Sequence, residues 1–201
     1  MKLSTLAFAA AALAATSPAS AMSYSWRTVG DHIVIDAAGE IEFNEKAIFT
    51  NWIVSAGPNW NGKRASAIIF NSPGGNVIGG DGLAGVIYQY HLITGVAHGG
   101  LCTSACVEAW ASGVTKTVAS DAGIGVHHVK APTADEADRG TQYCVSVYRR
   151  LGAPESVINA TMATPPESIH LLTPDEYAAW NAKIIPRERT AIIKAQTMPA
   201  D

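Results

Sequence analysis

The sequence predicts an α/β fold with a mostly parallel core sheet. Short apolar runs of strand length alternate with segments whose apolar residues recur at helical spacing, the order typical of βαβ units. One run, 67–70, is continuously apolar, as strands buried on both faces are. The chain has 201 residues, of which 48% are hydrophobic and 15% charged. This composition indicates a globular domain and excludes a disordered chain, a collagen-like repeat and a coiled coil.

The first half of the domain alternates strand and helix signals. The β-branched run 33–35 predicts a strand, and 41–43 predicts a second short one. Asn44 can cap a helix over 45–55, where apolar residues recur at helical spacing. The strand 67–70 then stops at a turn rich in glycine.

The second half continues the same alternation. We predict helices over 80–91, 105–112 and 135–151, and strands over 93–97, 116–119 and 123–128. Thr133 and Glu136 have the spacing of a capping box at the start of the third of these helices. By the same signal, Thr173-Pro174-Asp175-Glu176 opens one more short helix.

Residues 1–21 have the pattern of a signal peptide. Met1-Lys2 is a basic start, 6–15 is an apolar run too short to span a membrane, and Pro18 ends it. Ala19-Ser20-Ala21 supplies the small residues that a signal peptidase accepts, so we expect cleavage between Ala21 and Met22. The alternative is an uncleaved membrane anchor. We therefore expect one domain over 22–201, periplasmic or secreted, with no membrane span after leader cleavage.

The net charge argues against several partners. It is −3, and no basic cluster stands out. Nucleic acids and anionic membranes attract basic surfaces, so we expect no nucleic-acid partner. No Walker loop and no second pair of zinc ligands near the cysteines is present, so we expect no cofactor and no metal.

Three cysteines, Cys102, Cys106 and Cys144, are present. In an exported protein an odd count suggests one disulfide and one free thiol. A disulfide between Cys102 and Cys106 fits if Cys102 lies just before a helix that begins around Ser104. The alternative is three buried thiols.

Two glycine-rich turns each follow a buried apolar strand and lead into a helix. They are Asn71-Ser72-Pro73-Gly74-Gly75-Asn76 and the segment from Gly99-Gly100 to Cys106. Such turns can present backbone N–H groups and the positive end of a helix to an oxyanion, and equally to a phosphate. Ser104, taken alone, could simply be an N-cap worth about 1 kcal/mol.

His127 changes this interpretation. It follows the apolar segment 123–126 at the carboxyl end of a predicted strand, where α/β proteins gather their active sites. His128 is the alternative imidazole. Neighbouring strand residues point to opposite faces, so we expect only one of the two to meet Ser104.

Taken together, these motifs resemble the Clp/crotonase superfamily. Ile69-Phe70-Asn71-Ser72-Pro73-Gly74-Gly75-Asn76-Val77 is similar to the strand and turn of the Clp peptidase subunit, and 104–127 follows in the family's order and spacing. Cys102-Thr103-Ser104-Ala105-Cys106 looks more like exported bacterial members. The resemblance covers about 33–185, with its specific part between 68 and 127, and implies a Clp/crotonase-like fold of stacked βαβ units.

The resemblance also implies a site. It makes Ser104 the nucleophile, His127 its general base, and the N–H groups of Gly75 and Ala105 the oxyanion hole. For the family's third, acidic residue the nearest candidate is Glu167. Asp175 is the runner-up, although its place in the first turn of a helix explains it without catalysis. A site without an acidic partner is the remaining option.

The sequence therefore predicts an exported serine peptidase-like hydrolase. Its substrates would be peptides or proteins, cleaved at peptide or related acyl bonds, and the resemblance leaves room for a homo-oligomer. The main alternative is a catalytically idle Clp-like fold that serves as a binding or assembly module. A crotonase-type enzyme is disfavoured, because an exported compartment offers no CoA and the chain shows no basic cluster for its phosphates.

Overall fold

The structure, a computed structural model, describes residues 20–187. The strands are β1 Ser23–Val29, β2 His32–Ala38, β3 Arg64–Asn71, β4 Ile93–Val96, β5 Leu101–Thr103, β6 Lys116–Ala119, β7 Gly123–Val126, β8 His170–Leu171 and β9 Ala182–Ile185. The α-helices are α1 Glu45–Ala56, α2 Val77–Gln89, α3 Cys106–Ala111, α4 Ala134–Arg150, α5 Glu155–Ala163 and α6 Pro174–Ala179, and a 3₁₀ helix covers Gly57–Trp60. Most of the expected leader, 1–19, lies outside the described residues.

Residues 20–187 form two sheets. The larger has six strands in the order β1-β2-β3-β4-β6-β9, and every pair except β1-β2 is parallel. The smaller has the order β5-β7-β8, with β5 and β7 parallel and β7 and β8 antiparallel. The expected α/β fold with a mostly parallel core sheet is confirmed.

Helix α3, which follows the second glycine-rich turn, is packed in the hydrophobic core. All six residues of α3 are buried. Its Trp110 packs edge-on against Trp180, with ring centroids 5.5 Å apart. Tyr148 of α4 also packs edge-on against Trp180. Buried aromatic pairs of this geometry add to the stability that area burial supplies. The aromatic cluster therefore fixes the C-terminal part of α3 in the core.

Several elements differ from the sequence expectation. The predicted strand 41–43 is wrong: only Ile41 pairs, in an isolated bridge with Gly75. Helix α2 begins at Val77, three residues before the predicted start, because the Asn76 side chain caps it by accepting the N–H of Gly79 at 3.1 Å. The capping boxes at the starts of α4 and α6 form as expected.

None of the helices within residues 20–187 combines the length and the apolar character needed to cross a bilayer.

Candidate active site

The two glycine-rich turns lie side by side. Ser72, just beyond β3, donates its N–H to the carbonyl of Leu101 at 2.7 Å, and Thr103 donates its N–H to the carbonyl of Ser72 at 3.1 Å. These bonds form a parallel bridge between Ser72 and Cys102. Segments far apart in the sequence are thereby brought to one edge of the fold.

Gly74 presses directly on Ser104. Its φ is 96°, and a Cβ atom added to it would stand 2.6 Å from the Cβ of Ser104 and 3.0 Å from the nitrogen of Ala105. Both the left-handed conformation and the close approach require glycine.

Gly75 presents an unpaired N–H group. Its neighbours bond to Ile41: the Ile41 N–H reaches the carbonyl of Gly74 at 2.7 Å, and the Asn76 N–H reaches the carbonyl of Ile41 at 2.8 Å. Neither the N–H of Gly75 nor that of Ala105 has a hydrogen-bond partner within residues 20–187. These are the two groups that the sequence resemblance assigns to an oxyanion hole.

Ser104 has a strained backbone. Its φ is 56°, in the left-handed region that costs a non-glycine residue about 1–2 kcal/mol. Such strain is concentrated at functional sites. The simple N-cap role is not what the structure contains: α3 has Ala105 as its N-cap residue and no side-chain capping bond. In the described part of the chain the Ser104 hydroxyl makes no hydrogen bond and is therefore available.

A disulfide closes around this residue. Cys102 and Cys106 are bonded, with their Cα atoms 5.3 Å apart, and both are fully buried. Cys144 is a buried free thiol. The bridge joins β5 to the first residue of α3, so it holds Ser104 in a short covalent loop.

Ser104 and His127 follow neighbouring parallel strands, β5 and β7. Thr103 pairs with Gly125, and the Ser104 N–H donates to the Gly125 carbonyl at 2.9 Å. Ser104 is therefore level with residue 126, one residue before His127. Among the residues described, no hydrogen bond joins the Ser104 hydroxyl to the His127 ring.

The His127 ring is oriented by a backbone carbonyl. Its Nδ1 lies 2.7 Å from the carbonyl oxygen of His128. Because a carbonyl can only accept, Nδ1 must carry a proton, and neutral His127 then has its lone pair on Nε2. This is the tautomer that a general base for a serine needs.

His128 points elsewhere. Its Nε2 lies 3.1 Å from a carboxylate oxygen of Asp138 on α4. The backbone N–H of His128 donates to the carbonyl of Thr164 at 2.8 Å. His128 is therefore bonded to α4 and to the residue that follows α5.

Neither candidate acid forms a hydrogen bond or an ion pair with His127 in the described part of the chain. Glu167 is exposed in the turn between α5 and β8 and forms neither a hydrogen bond nor an ion pair in residues 20–187. Asp175 is exposed in the first turn of α6. A catalytic role for Glu167 stays a prediction, and the His128 carbonyl occupies the position on Nδ1 that an acid would take.

A buried carboxyl that sequence reasoning missed lies one helical turn after Ser104. Glu108 is fully buried in α3, and neither of its oxygens has a normal hydrogen-bond partner among the described residues. Burial raises its pKa to about 8, an effect that the nearby Cys144 thiol only partly offsets. The signal was present, since Glu108 is the one charged residue in the apolar segment 105–112.

Metal chemistry has no evident ligand set in the described ranges. Within residues 20–187 no three His, Cys, Asp or Glu side chains gather in the way that a metal ion requires.

Comparisons with known proteins identify the fold. A mutant of the membrane-bound stomatin-specific protease 1510-N superposes with a TM-score of 0.54 at 18% identity, over 79% of this chain and 81% of that one. A mutant of ClpP1 from Listeria monocytogenes superposes with a TM-score of 0.55 at 15% identity, over 79% of this chain and 93% of that one. The chain has a Clp-peptidase-like fold. No protein-family model matches the sequence, and no characterised protein sequence matches it significantly.

Proposed function

We propose that this protein is an exported serine peptidase-like hydrolase that acts on peptide or related acyl bonds. The observation that carries the proposal is the pair of unpaired N–H groups, Gly75 and Ala105, beside a strained Ser104 with a free hydroxyl. Ala105 is buried, and a buried N–H group without a partner is rare and calls for an explanation, whereas Gly75 is exposed and its N–H is open to a ligand. A developing oxyanion is the partner that this arrangement suits. Of the two structural neighbours, one is described as a stomatin-specific protease, which supports the same reaction class.

The reaction follows from these groups. The Ser104 Oγ attacks the acyl carbon while His127 Nε2 takes its proton, and the oxyanion accepts hydrogen bonds from Gly75 and Ala105. When the bond to the leaving amine breaks, His127 returns the proton to that amine, leaving an ester on Ser104. Water then attacks the ester while His127 removes a proton from it. When the bond between the acyl carbon and Ser104 Oγ breaks, His127 gives that proton to Oγ, and the acid product leaves. The His128 carbonyl orients the base throughout, a role that an acid more often performs.

A second function has one observation in its favour. No hydrogen bond links Ser104 to His127 and no acid contacts His127 in the part of the chain described, which also fits an idle fold that binds or assembles. Catalytic hydrogen bonds are often loose without substrate, so reactivity has to decide between the two functions.

The test is covalent labelling of mature protein, residues 22–201, with a fluorophosphonate. We expect the label on Ser104, with loss of labelling in Ser104→Ala and His127→Ala. His128→Ala should keep most of it, because its ring is bonded to Asp138. Ser146→Ala, which removes an exposed hydroxyl on α4, is the matched control. A folded wild-type protein that takes no label, or labels equally in Ser104→Ala, would leave the idle fold as the answer.

A further inference from the structure

A cleft of about 410 Å³ begins at Gly75 and runs between the start of α2 and the first half of α4. Its walls are formed by Gly75, Asn76, Val77, Ile78, Val129, Lys130, Arg139, Gly140 and Tyr143. Gly75, a proposed oxyanion donor, forms part of one wall. When the carbonyl of the cleaved bond binds the Gly75 N–H, the substrate residues next to that bond lie over the cleft. An extended peptide advances about 3.3 Å per residue, so these are residues within one or two positions of the bond.

The charge of the cleft is positive. Lys130 is exposed and forms no ion pair or hydrogen bond within residues 20–187. Arg139 adds a second cation, paired with Asp135 one turn earlier on α4. The first turn of α2 contributes the N–H groups of Val77 and Ile78, which have no described acceptor, at the positive end of the helix.

No carboxylate lines the cleft, and three of those nearby are already engaged. The exception is the exposed Glu40, whose Cγ would stand 2.8 Å from a Cβ atom on Gly75, at the end of the cleft away from Lys130. Asp81 accepts the Tyr143 hydroxyl at 2.6 Å and lies 3.3 Å from Arg150. Asp138 is bonded to His128, and Asp135 to Arg139. The charge of Lys130 is therefore without a carboxylate partner in the described structure.

We propose that this cleft receives an acidic side chain of the substrate, so that the protein prefers peptides with glutamate or aspartate close to the cleaved bond. Val77, Ile78 and Val129 offer apolar contacts to the stem of such a side chain, while Lys130 binds its carboxylate. This inference rests on the proposed function, since it assigns the substrate class of the same site.

The test is hydrolysis of matched peptides, followed by mass spectrometry of the products. The peptides differ only in carrying Glu, Gln or Lys at one position, which is moved through three residues on each side of a central Ala-Ala bond. We expect kcat/KM for the best Glu peptide to exceed that of its Gln counterpart by roughly two- to fivefold, the range that one exposed ion pair supplies. The preference should shrink as salt rises, because exposed charges are screened.

Charge reversal provides the decisive variant. In Lys130→Glu the order of Glu and Lys peptides should invert. Lys183→Glu, an equal charge change on the exposed strand β9, should leave the order unchanged. If a protein that labels at Ser104 cleaves the Glu, Gln and Lys peptides equally, the proposed substrate preference is overturned and the proposed hydrolase function is not.

A binding measurement keeps the inference testable if no hydrolysis occurs. Fluorescence anisotropy of the same peptides, carrying an uncharged dye, is measured with Ser104→Ala protein. Tighter binding of the Glu peptide, lost in a Ser104→Ala/Lys130→Glu double variant, would support the acidic subsite even where the hydrolase proposal had failed. Identical affinities for the Glu and Lys peptides would overturn it.

Discussion

Gly75 and Ile41 pair in a parallel bridge that leaves no room for a side chain at Gly75. A Cβ atom there would stand 2.8 Å from the nitrogen of Ile41 and overlap its carbonyl oxygen, and the φ of Gly75 is 136°. Gly75→Ala should therefore displace the turn, lower stability and abolish fluorophosphonate labelling. Chemical denaturation and the labelling rate measure the two effects.

Gly85→Ala is the matched control. Gly85 is exposed inside α2, and nothing lies within 4 Å of a Cβ atom added there. Alanine should raise the free energy of unfolding by about 1 kcal/mol through helix propensity, with labelling unchanged. A Gly75→Ala protein as stable and reactive as Gly85→Ala would contradict the assigned geometry.

Ser104→Gly should be more stable than Ser104→Ala. Both variants remove the hydroxyl, but alanine keeps the Cβ atom that opposes a φ of 56°. Glycine relieves that strain, and we expect a gain of about 1 kcal/mol in the free energy of unfolding.

Ser112 supplies the comparison for this pair. Its φ is −79°, an ordinary helical value, so glycine should there be less stable than alanine. The same order of stabilities at both positions would mean that Ser104 is not strained.

Glu108 should make stability fall with rising pH. Its pKa is raised from the ordinary 4.5 to about 8, chiefly by burial, so between these values the native state keeps a proton that the unfolded chain releases. Raising the pH then favours unfolding, by at most about 1.4 kcal/mol per pH unit, and the effect levels off above pH 8.

Glu108→Gln isolates this contribution. Urea unfolding from pH 5 to pH 9 should show the wild type losing stability relative to the variant up to about pH 8, and a constant difference beyond. Parallel stability curves across the whole range would show that Glu108 does not hold its proton in the native state.

Loss of the Cys102–Cys106 disulfide should loosen Ser104. The loop is short, so chain entropy alone predicts a cost of about 2 kcal/mol in Cys102→Ser/Cys106→Ser. Fluorophosphonate labelling of the double variant should also be slower than that of the wild type, because the disulfide spans the strained turn at Ser104. Reductant should slow wild-type labelling to the rate of the double variant and leave the variant itself unaffected. Wild-type labelling that is indifferent to reductant would argue against a positioning role.

Export should leave a chain that begins at Met22. The leader pattern predicts cleavage after Ala21, and intact-mass analysis of periplasmic or secreted protein expressed from residues 1–201 measures it. We expect the mass of residues 22–201 less two hydrogens for the disulfide. Retention of residues 1–21 would favour the membrane-anchor alternative.

Local signals in the sequence predicted much of the framework. Strand β6 was predicted over its observed bounds, and the capping boxes at Thr133 and Thr173 located the starts of α4 and α6. These succeeded because apolar periodicity and capping act within a few residues. Strands β1, β5, β8 and β9 and helix α5 were not predicted. Of these strands, β1 and β9 lie at the edges of the larger sheet, where one flank has no neighbour and the apolar pattern is weak. Strands β5 and β8 are only three and two residues long.

For the candidate site, the chain's own residues were enough to single out two glycine-rich turns, Ser104, His127 and the cysteine pair, because turn chemistry is local. Only the folded chain decided how they meet. The φ of Ser104, whose N–H bonds to Gly125, and the bridge from Ile41 to Gly75 depend on contacts between distant segments. The raised pKa of Glu108 likewise follows from packing of α2, α3 and α4 around it, since only burial by neighbours removes the water that would keep a carboxyl ionised.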